Sequence, residues 1–199
     1  MILIFAIAIG LLAGFLKASL EGVPYHTREL HHIWLVLLAA IPQVLVFFLP
    51  ATRDRIADQW IPIILIVTQL ILLVFVWLNR KTPFFWLMGL GLTLNFLVIS
   101  LNGGWMPISP ATLASENIPA SGWQIGSRLG YSKDLVMAKE NTTLWIFSDI
   151  LTLPKWIPYR VAFSIGDVLL GLGVIGFLIQ NKQVAQDINN VYLQEELKS

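Results

Sequence analysis

The chain has 199 residues, of which 56% are hydrophobic and only 13% are charged, about half the charged share of a typical soluble domain. This composition excludes a soluble enzyme and a disordered linker, because too few charged residues are present to cover so large an apolar fraction in water. A formal net charge of +1 gives no electrostatic reason to expect a nucleic-acid partner, and the absence of cysteine excludes disulfides and thiolate metal sites.

Apolar runs of about 20 residues predict transmembrane helices. Five such runs cover residues 2–20, 33–50, 61–79, 83–101 and 161–180. The expected fold is an all-α integral membrane protein, a single membrane domain with one long loop at 102–160 and a polar tail at 181–199. Within that loop, Thr143–Leu153 is apolar but too short to span, which predicts a partly interfacial segment. No basic stretch precedes the first run, so we expect a retained anchor rather than a signal peptide.

Local signals place the ends of several helices. Thr82 followed by Pro83 predicts the start of the fourth helix, because the missing N–H of proline costs nothing at the first helical position. Ser109 followed by Pro110 predicts a short helix in the long loop. The tail after Gln180 is expected to continue as a short exposed helix.

An odd number of spans puts the two termini on opposite sides of the membrane. Basic residues near the ends of short loops favour the side of the tail, with Lys17, Arg28, Arg80, Lys81 and Lys182 there against Arg53, Arg55 and Arg160 on the other side. Such residues are enriched on the cytoplasmic side. We therefore expect a cytoplasmic tail, with the N-terminus and the long loop outside.

Polar residues within the predicted spans lie at similar depth when each helix is counted from the side of the long loop. They are Gln43, Thr68, Gln69, Asn95 and Asp167. At a rise of 1.5 Å per residue they lie roughly 9–12 Å below that surface. Because polar groups facing lipid are costly, we expect them to turn inward as one polar layer. That layer is either a hydrogen-bond network that holds the helices together or a binding pocket reached by solvent.

Asp167 is the only carboxylate deep in a predicted span, and Ser164 shares its helix face together with Arg160. A neutral Asp167 could relay a proton, whereas an ionised one needs a cationic partner or a bound ion. Asp149 is placed either over the mouth of the polar layer or as a helix cap or partner of Arg160.

The paired glycines Gly103 and Gly104 after Asn102 predict a tight turn at the membrane surface, which makes these three residues further candidates for the mouth of the layer.

His31 and His32 are the candidate cofactor ligands. Adjacent residues do not share a helix face, so the pair is a poor metal motif, although an axial ligand to haem or chlorophyll remains possible. No metal site is predicted, and the cofactor is unknown.

Small residues recur every four positions in the first span, at Ala6, Gly10, Gly14 and Ala18. Such a stripe allows another helix to approach closely. The partner is either a helix of the same chain or a second copy.

Two motifs resemble those of a family of small, uncharacterised bacterial integral-membrane proteins. One is the Asn-Gly-Gly-x-Met-Pro turn at Asn102–Pro107, and the other is Ser-x-Gly-Asp at the last span, with Asp149 before a proline-broken stretch. The resemblance covers nearly the whole chain and implies a protein of the bacterial inner membrane. It implies no activity.

Three functions remain open at this point. Without a recognisable catalytic motif, the sequence favours an accessory or scaffolding subunit that packs in the lipid bilayer against other membrane proteins or itself. A small transporter or a protein that binds ions or protons around Asp167 is the alternative. A lipid-modifying enzyme that uses Asp149 and Asp167 is the third.

Overall fold

A computed structural model describes residues 2–157 and 159–180 of the chain. Seven α-helices lie in these residues: α1 (Ile2–Leu20), α2 (Trp34–Phe47), α3 (Pro50–Arg53), α4 (Ile61–Leu78), α5 (Phe85–Leu101), α6 (Pro110–Ser115) and α7 (Ile165–Ile179). The five long helices occupy the five apolar runs, so the protein is mostly helical, as the sequence predicts. The expected helix of the tail lies outside the described residues.

The long helices form a row whose order differs from the order of the chain. The main contacts join α1 to α7, α7 to α5, α5 to α4, and α4 to α2. Helix α7 therefore lies between α1 and α5, while α1 and α2 form the two ends of the row.

Small residues explain why α1 and α7 approach closely. The stripe of α1 is buried, and a Cβ on Gly10 would lie 3.0 Å from Leu178 Cβ on α7. Gly14 lies against the backbone of Leu178 and the ring of Tyr25, whose hydroxyl donates to Leu178 O at 2.7 Å. Within this structure, the stripe packs against a helix of the same chain.

Two of the helices are long and apolar enough to cross a membrane, judged by length and composition alone. They are Ile2–Leu20 and the segment Asp58–Leu78, and 22% and 28% of the most apolar 18-residue stretch of each are buried. The core helix of a soluble protein and a signal sequence pass the same test. The other three long helices are apolar but have 14 to 17 residues.

Residues 102–157 and 159–163 fold into a small cap over the helix ends where α5 stops and α4 and α7 begin, and this cap contains strands that the all-α prediction did not include. Strand β1 (Met106–Ile108) pairs in parallel with β2 (Asp134–Val136), and β3 (Leu151–Thr152) pairs antiparallel with β4 (Ala162–Phe163). Asp149 bridges to Ile108 on the other side of β1. The cap has its own apolar core around Ile108, Leu113 and Val136.

Of two predicted helix starts, one was wrong and one is confirmed. Thr143–Leu153 forms one 3₁₀ turn at Trp145–Phe147 and then β3, because the backbone after the turn pairs within the cap; its position at a membrane surface stays a prediction. Helix α5 begins at Phe85 rather than Pro83, since Phe84 adopts a left-handed conformation with φ of 68°. Ser109 caps α6 as predicted, and its Oγ accepts a hydrogen bond from Thr112 N at 3.1 Å.

Candidate functional site

The first turn of α7 holds the carboxylate that the sequence placed deep in a span. Ser164 is the N-cap of α7, and its Oγ accepts a hydrogen bond from Asp167 N at 2.9 Å. In return, Ser164 N donates to Asp167 Oδ2 at 3.2 Å, which completes a capping box. Because the residues just before Ser164 form β4, the helix begins at Ile165 rather than 161, and Asp167 lies only three residues into it. A carboxylate is favoured at this position by the helix dipole.

Asn95 on α5 joins this turn from the neighbouring helix. Its Nδ2 donates to Asp167 Oδ1 at 2.8 Å, and its Oδ1 accepts from Ser164 Oγ at 2.8 Å. Gly166 makes the arrangement possible, because a Cβ there would collide with the Asn95 side chain and lie 2.7 Å from Gly91 O. The close α5–α7 contact thus brings Asn95, Ser164 and Asp167 into one closed hydrogen-bonded group.

Lys133 supplies the cation of the site, and sequence reasoning missed it. Its Nζ lies 3.0 Å from Asp149 Oδ2 and 3.9 Å from Asp167 Oδ2. The strands of the cap explain this position: Met106 N donates to Lys133 O at 3.2 Å on one side of β1, and Asp149 N donates to Pro107 O at 3.1 Å on the other. We call Asn95, Lys133, Asp149, Ser164 and Asp167 the polar cluster.

Arg160, the partner that the sequence suggested for both carboxylates, does not fill that role. It is exposed, and no ion pair joins it to Asp149 or Asp167 in the described part of the chain. The residues between Arg160 and Ser164 are extended rather than helical, so the expected helical spacing to Asp167 does not exist. Asp149 caps no described helix and pairs with Lys133 instead.

Burial and charge pairing act in opposite directions on the pKa values of the polar cluster. Asp149 is 1% exposed, and burial raises the pKa of its carboxyl group above the ordinary value, against the opposing attraction of Lys133. For Lys133, burial lowers the pKa, but the attraction of Asp149, Asp167 and Asp134 outweighs that effect and raises it. Lys133 is therefore held as a cation. Asp149 Oδ1 is buried with no hydrogen-bond partner among the described residues.

The other members of the predicted layer lie apart from the polar cluster. Gln43 Nε2 donates to Thr68 Oγ1 at 2.8 Å, and Thr68 Oγ1 donates to Ile64 O at 2.7 Å. Gln69 Oε1 is buried without a hydrogen-bond partner among the described residues. No hydrogen bond joins Gln43 or Gln69 to Asn95 or Asp167 among the described residues, so the expected polar layer is not one continuous network. In the row, α2 packs mainly on α4, so the hydrogen bond of Gln43 on α2 goes to a residue of α4.

Asn102 and the two glycines after it join the cap to the row. Asn102 Nδ2 donates to Thr143 O at 2.9 Å, and Thr143 N donates to Asn102 Oδ1 at the same distance. Gly103 and Gly104 have φ of 71° and 83°, and Gly104 also lies against Pro62 on α4. These residues fix the chain where α5 ends.

His31 and His32 lie at the helix ends opposite the cap, beside the end of α4. Asn79 holds the backbone of His31: its Oδ1 accepts from His31 N at 2.8 Å, and its Nδ2 donates to His31 O at 2.9 Å. The His32 ring contacts the Trp34 ring edge-on at 6.4 Å. No group of three or more His, Asp or Glu side chains suited to a metal ion is present in residues 2–157 and 159–180. A role of His31 or His32 as a haem or chlorophyll ligand stays a prediction.

Comparison with known proteins places the chain in a family. Residues 27–179 match the family of unknown function DUF5317. The chain belongs to that family. An uncharacterized protein of Thermotoga maritima is 30% identical over 114 residues, which cover 55% of this chain and 58% of that protein. No solved structure matches the chain. The expected membership of an uncharacterised family is confirmed, and it assigns no activity.

Proposed function

We propose that this DUF5317 protein is a five-span integral membrane protein of the bacterial inner membrane and acts as an accessory or scaffolding subunit. The open row of helices is the observation that carries the proposal. Each long helix has its main contacts with one or two neighbours, so the described residues leave the ends of the row and much of its faces uncovered.

The exposed surface of the row is apolar. On α1 alone, Ile4, Leu12 and Leu16 are each more than half exposed, and Trp77 on α4 and Trp86 on α5 are similarly open. Soluble monomers rarely expose contiguous apolar surface on this scale. Lipid covers part of such a surface, and a row that is not closed into a bundle offers the rest to other membrane helices.

The polar cluster fits a structural role in this protein. Asp167 and Asn95 accept and donate within the cluster, and Lys133 connects them to Asp149 in the cap. An intramembrane carboxylate is costly unless it is paired, and here the cap supplies the pairing. The cluster therefore fixes the cap on the row, so that cap and helices present one rigid surface.

The proposed orientation follows the distribution of basic residues. The N-terminus and the cap lie outside the cell, and the tail lies in the cytoplasm. The turn Arg80–Lys81 between α4 and α5 then faces the cytoplasm as well.

A purification of the full chain from native membranes in mild detergent tests the proposal. A membrane-protein partner should copurify in stoichiometric amount and crosslink to a helix of the row. Disruption of the polar cluster by Lys133→Met should weaken the complex, whereas the exposed Lys155→Met should not. Recovery of the chain alone, as a monomer, would contradict an accessory role.

A protein that binds protons or cations is the second candidate, and one observation favours it. Asp149 Oδ1 has no hydrogen-bond partner in the described part of the chain, although the side chain is almost fully buried. Three carboxylates, those of Asp134, Asp149 and Asp167, attract the single ammonium group of Lys133. In reconstituted vesicles, a proton or cation flux that Asp149→Asn abolishes would favour this candidate; absence of flux in the wild type would remove it.

A further inference from the structure

A second feature of the molecule is a cleft of about 590 Å³ between the cap and the connection from α2 to α4. Its lining includes Arg53, Asp54, Ile56, Asp58, Arg128 and Tyr131. The volume lies within the range of about 300–1,000 Å³ that is typical of small-molecule sites. The polar cluster contributes no residue to this lining.

Arg128 forms one wall of the cleft, and each of its three guanidinium nitrogens already donates a hydrogen bond. Its Nη1 donates to Asp58 Oδ1, its Nε to Ser132 O and its Nη2 to Tyr131 O, each at 2.8 Å. The Arg128 side chain is only 8% exposed. The bond to Asp58 ties the cap to the segment that leads into α4, and the other two hold the guanidinium within the cap, so the bonds together fix the shape of the cleft.

Arg53 differs from Arg128, because a ring contact holds its side chain in place while its Nε makes no hydrogen bond among the described residues. Its guanidinium lies over the Tyr131 ring at 4.0 Å from the centroid. Its Nε is 3.6 Å from Asp54 Oδ1 but has no hydrogen-bond partner among the described residues. The ring thus orients a guanidinium that retains its capacity for a phosphate, the anion that arginine binds best in a two-pronged geometry.

The charges of the lining select a particular class of ligand. Two guanidinium groups, those of Arg53 and Arg128, stand beside the carboxylates of Asp54 and Asp58. Both carboxylates would repel a simple anion, and both arginines would repel a simple cation. A zwitterion can place its phosphate on Arg53 and its ammonium group on Asp58, whose side chain is 64% exposed.

Apolar residues flank the charged lining along the chain. Leu49 directly precedes α3, and Trp60 and Ile63 follow Asp58 into α4; all three are at least 41% exposed. A ligand that uses both surfaces has a charged head and an apolar body. If α2 and α4 span the membrane, as the proposed function states, the cleft lies at the level of the lipid headgroups.

We propose that this cleft binds the headgroup of a zwitterionic phospholipid, with its phosphate on Arg53 and its ammonium group on Asp58. The inference rests on the membrane-spanning part of the proposed function. It does not depend on an accessory role.

The test compares lipids retained by the purified chain in native mass spectrometry, after exchange into equimolar phosphatidylethanolamine and phosphatidylglycerol. We expect preferential retention of phosphatidylethanolamine. Arg53→Gln should reduce the retention of phosphatidylethanolamine about tenfold, the effect of losing one charge-assisted contact to the phosphate. The control is Arg55→Gln, because Arg55 is exposed and does not line the cleft. Equal retention of both lipids, or equal loss in the two variants, would overturn the proposal.

Two further measurements separate the possible failures. Soluble glycerophosphoethanolamine should compete at least tenfold less well than the full lipid; equal competition would show that the ligand is a free zwitterion and not a lipid. Extraction of membranes with alkaline carbonate should leave the chain in the membrane. Release of the chain would contradict the proposed function itself, whereas a retained chain without lipid preference would contradict only the assignment of the cleft.

Discussion

Replacement of Lys133 by methionine should destabilise the protein strongly, because it removes the only cation of the polar cluster. Methionine keeps most of the length and the apolar character of the lysine stem but leaves Asp149, which is 1% exposed, without its partner at 3.0 Å. Asp167 loses a second contact at 3.9 Å. Breaking a buried ion pair by removing one partner costs about 3–5 kcal/mol.

The lower end of that range applies here. The Lys133 side chain is 34% exposed, so water screens part of its interaction with the two carboxylates. We therefore expect a loss of about 3 kcal/mol in the free energy of unfolding, taken from the cost of an unpaired buried charge. For a chain of this size, that loss corresponds to a fall of about 6–12 °C in melting temperature.

Thermal unfolding in mild detergent, followed by circular dichroism, measures the effect. Lys155→Met provides the control, since Lys155 is exposed, and its melting temperature should stay within about 2 °C of the wild type. Adding Asp149→Asn to Lys133→Met should restore part of the stability, because the double variant no longer buries an unpaired charge at that position. A Lys133→Met protein as stable as the Lys155→Met control would refute the pairing.

Further predictions concern the same site. Asp167→Asn should lose only about 1 kcal/mol in unfolding measurements, because the amide can still accept from Asn95, whereas Asp167→Leu should lose about 2–3 kcal/mol by leaving polar partners unsatisfied. Equal losses would contradict this account. Gly166→Ala should lower the melting temperature by forcing α5 and α7 apart, while Gly171→Ala should be tolerated, because its Cβ would lie at an ordinary 3.5 Å from Ala6 Cβ. The raised pKa of Lys133 contributes stability that is complete below the ordinary value of 10.5 and is lost as the pH rises through the higher value in the folded state. Melting temperature should therefore fall above about pH 10.5, and Lys133→Met should show less of that fall.

The positions of the long helices were predictable, because runs of apolar residues bounded by polar turns determine them. The start of α7 was also within reach: Ser164 and Asp167 have the spacing of a capping box, which marks a helix start at Ile165 and not at 161. The span prediction extended the helix through Ala162–Phe163, which form β4, because those residues are equally apolar.

Lys133 was not predictable in the same way. It lies in the cap, 34 residues before Asp167, and only the pairing of β1 with β2 brings it to the carboxylates. The sequence shows that an ionised Asp167 needs a cation, and Arg160 was the nearest one along the chain. Long-range strand pairing, which has no local signal in residues 102–163, places Lys133 rather than Arg160 beside Asp167.

Accessibility of single cysteines in intact cells tests the five-span account most directly, since the native chain contains no cysteine. Ser121 lies exposed in the cap, and Lys81 lies exposed in the turn between α4 and α5. A membrane-impermeant maleimide should label Ser121→Cys in intact cells and Lys81→Cys only after the membrane is opened. Labelling of both positions in intact cells, or of neither before the membrane is opened, would contradict the proposed topology.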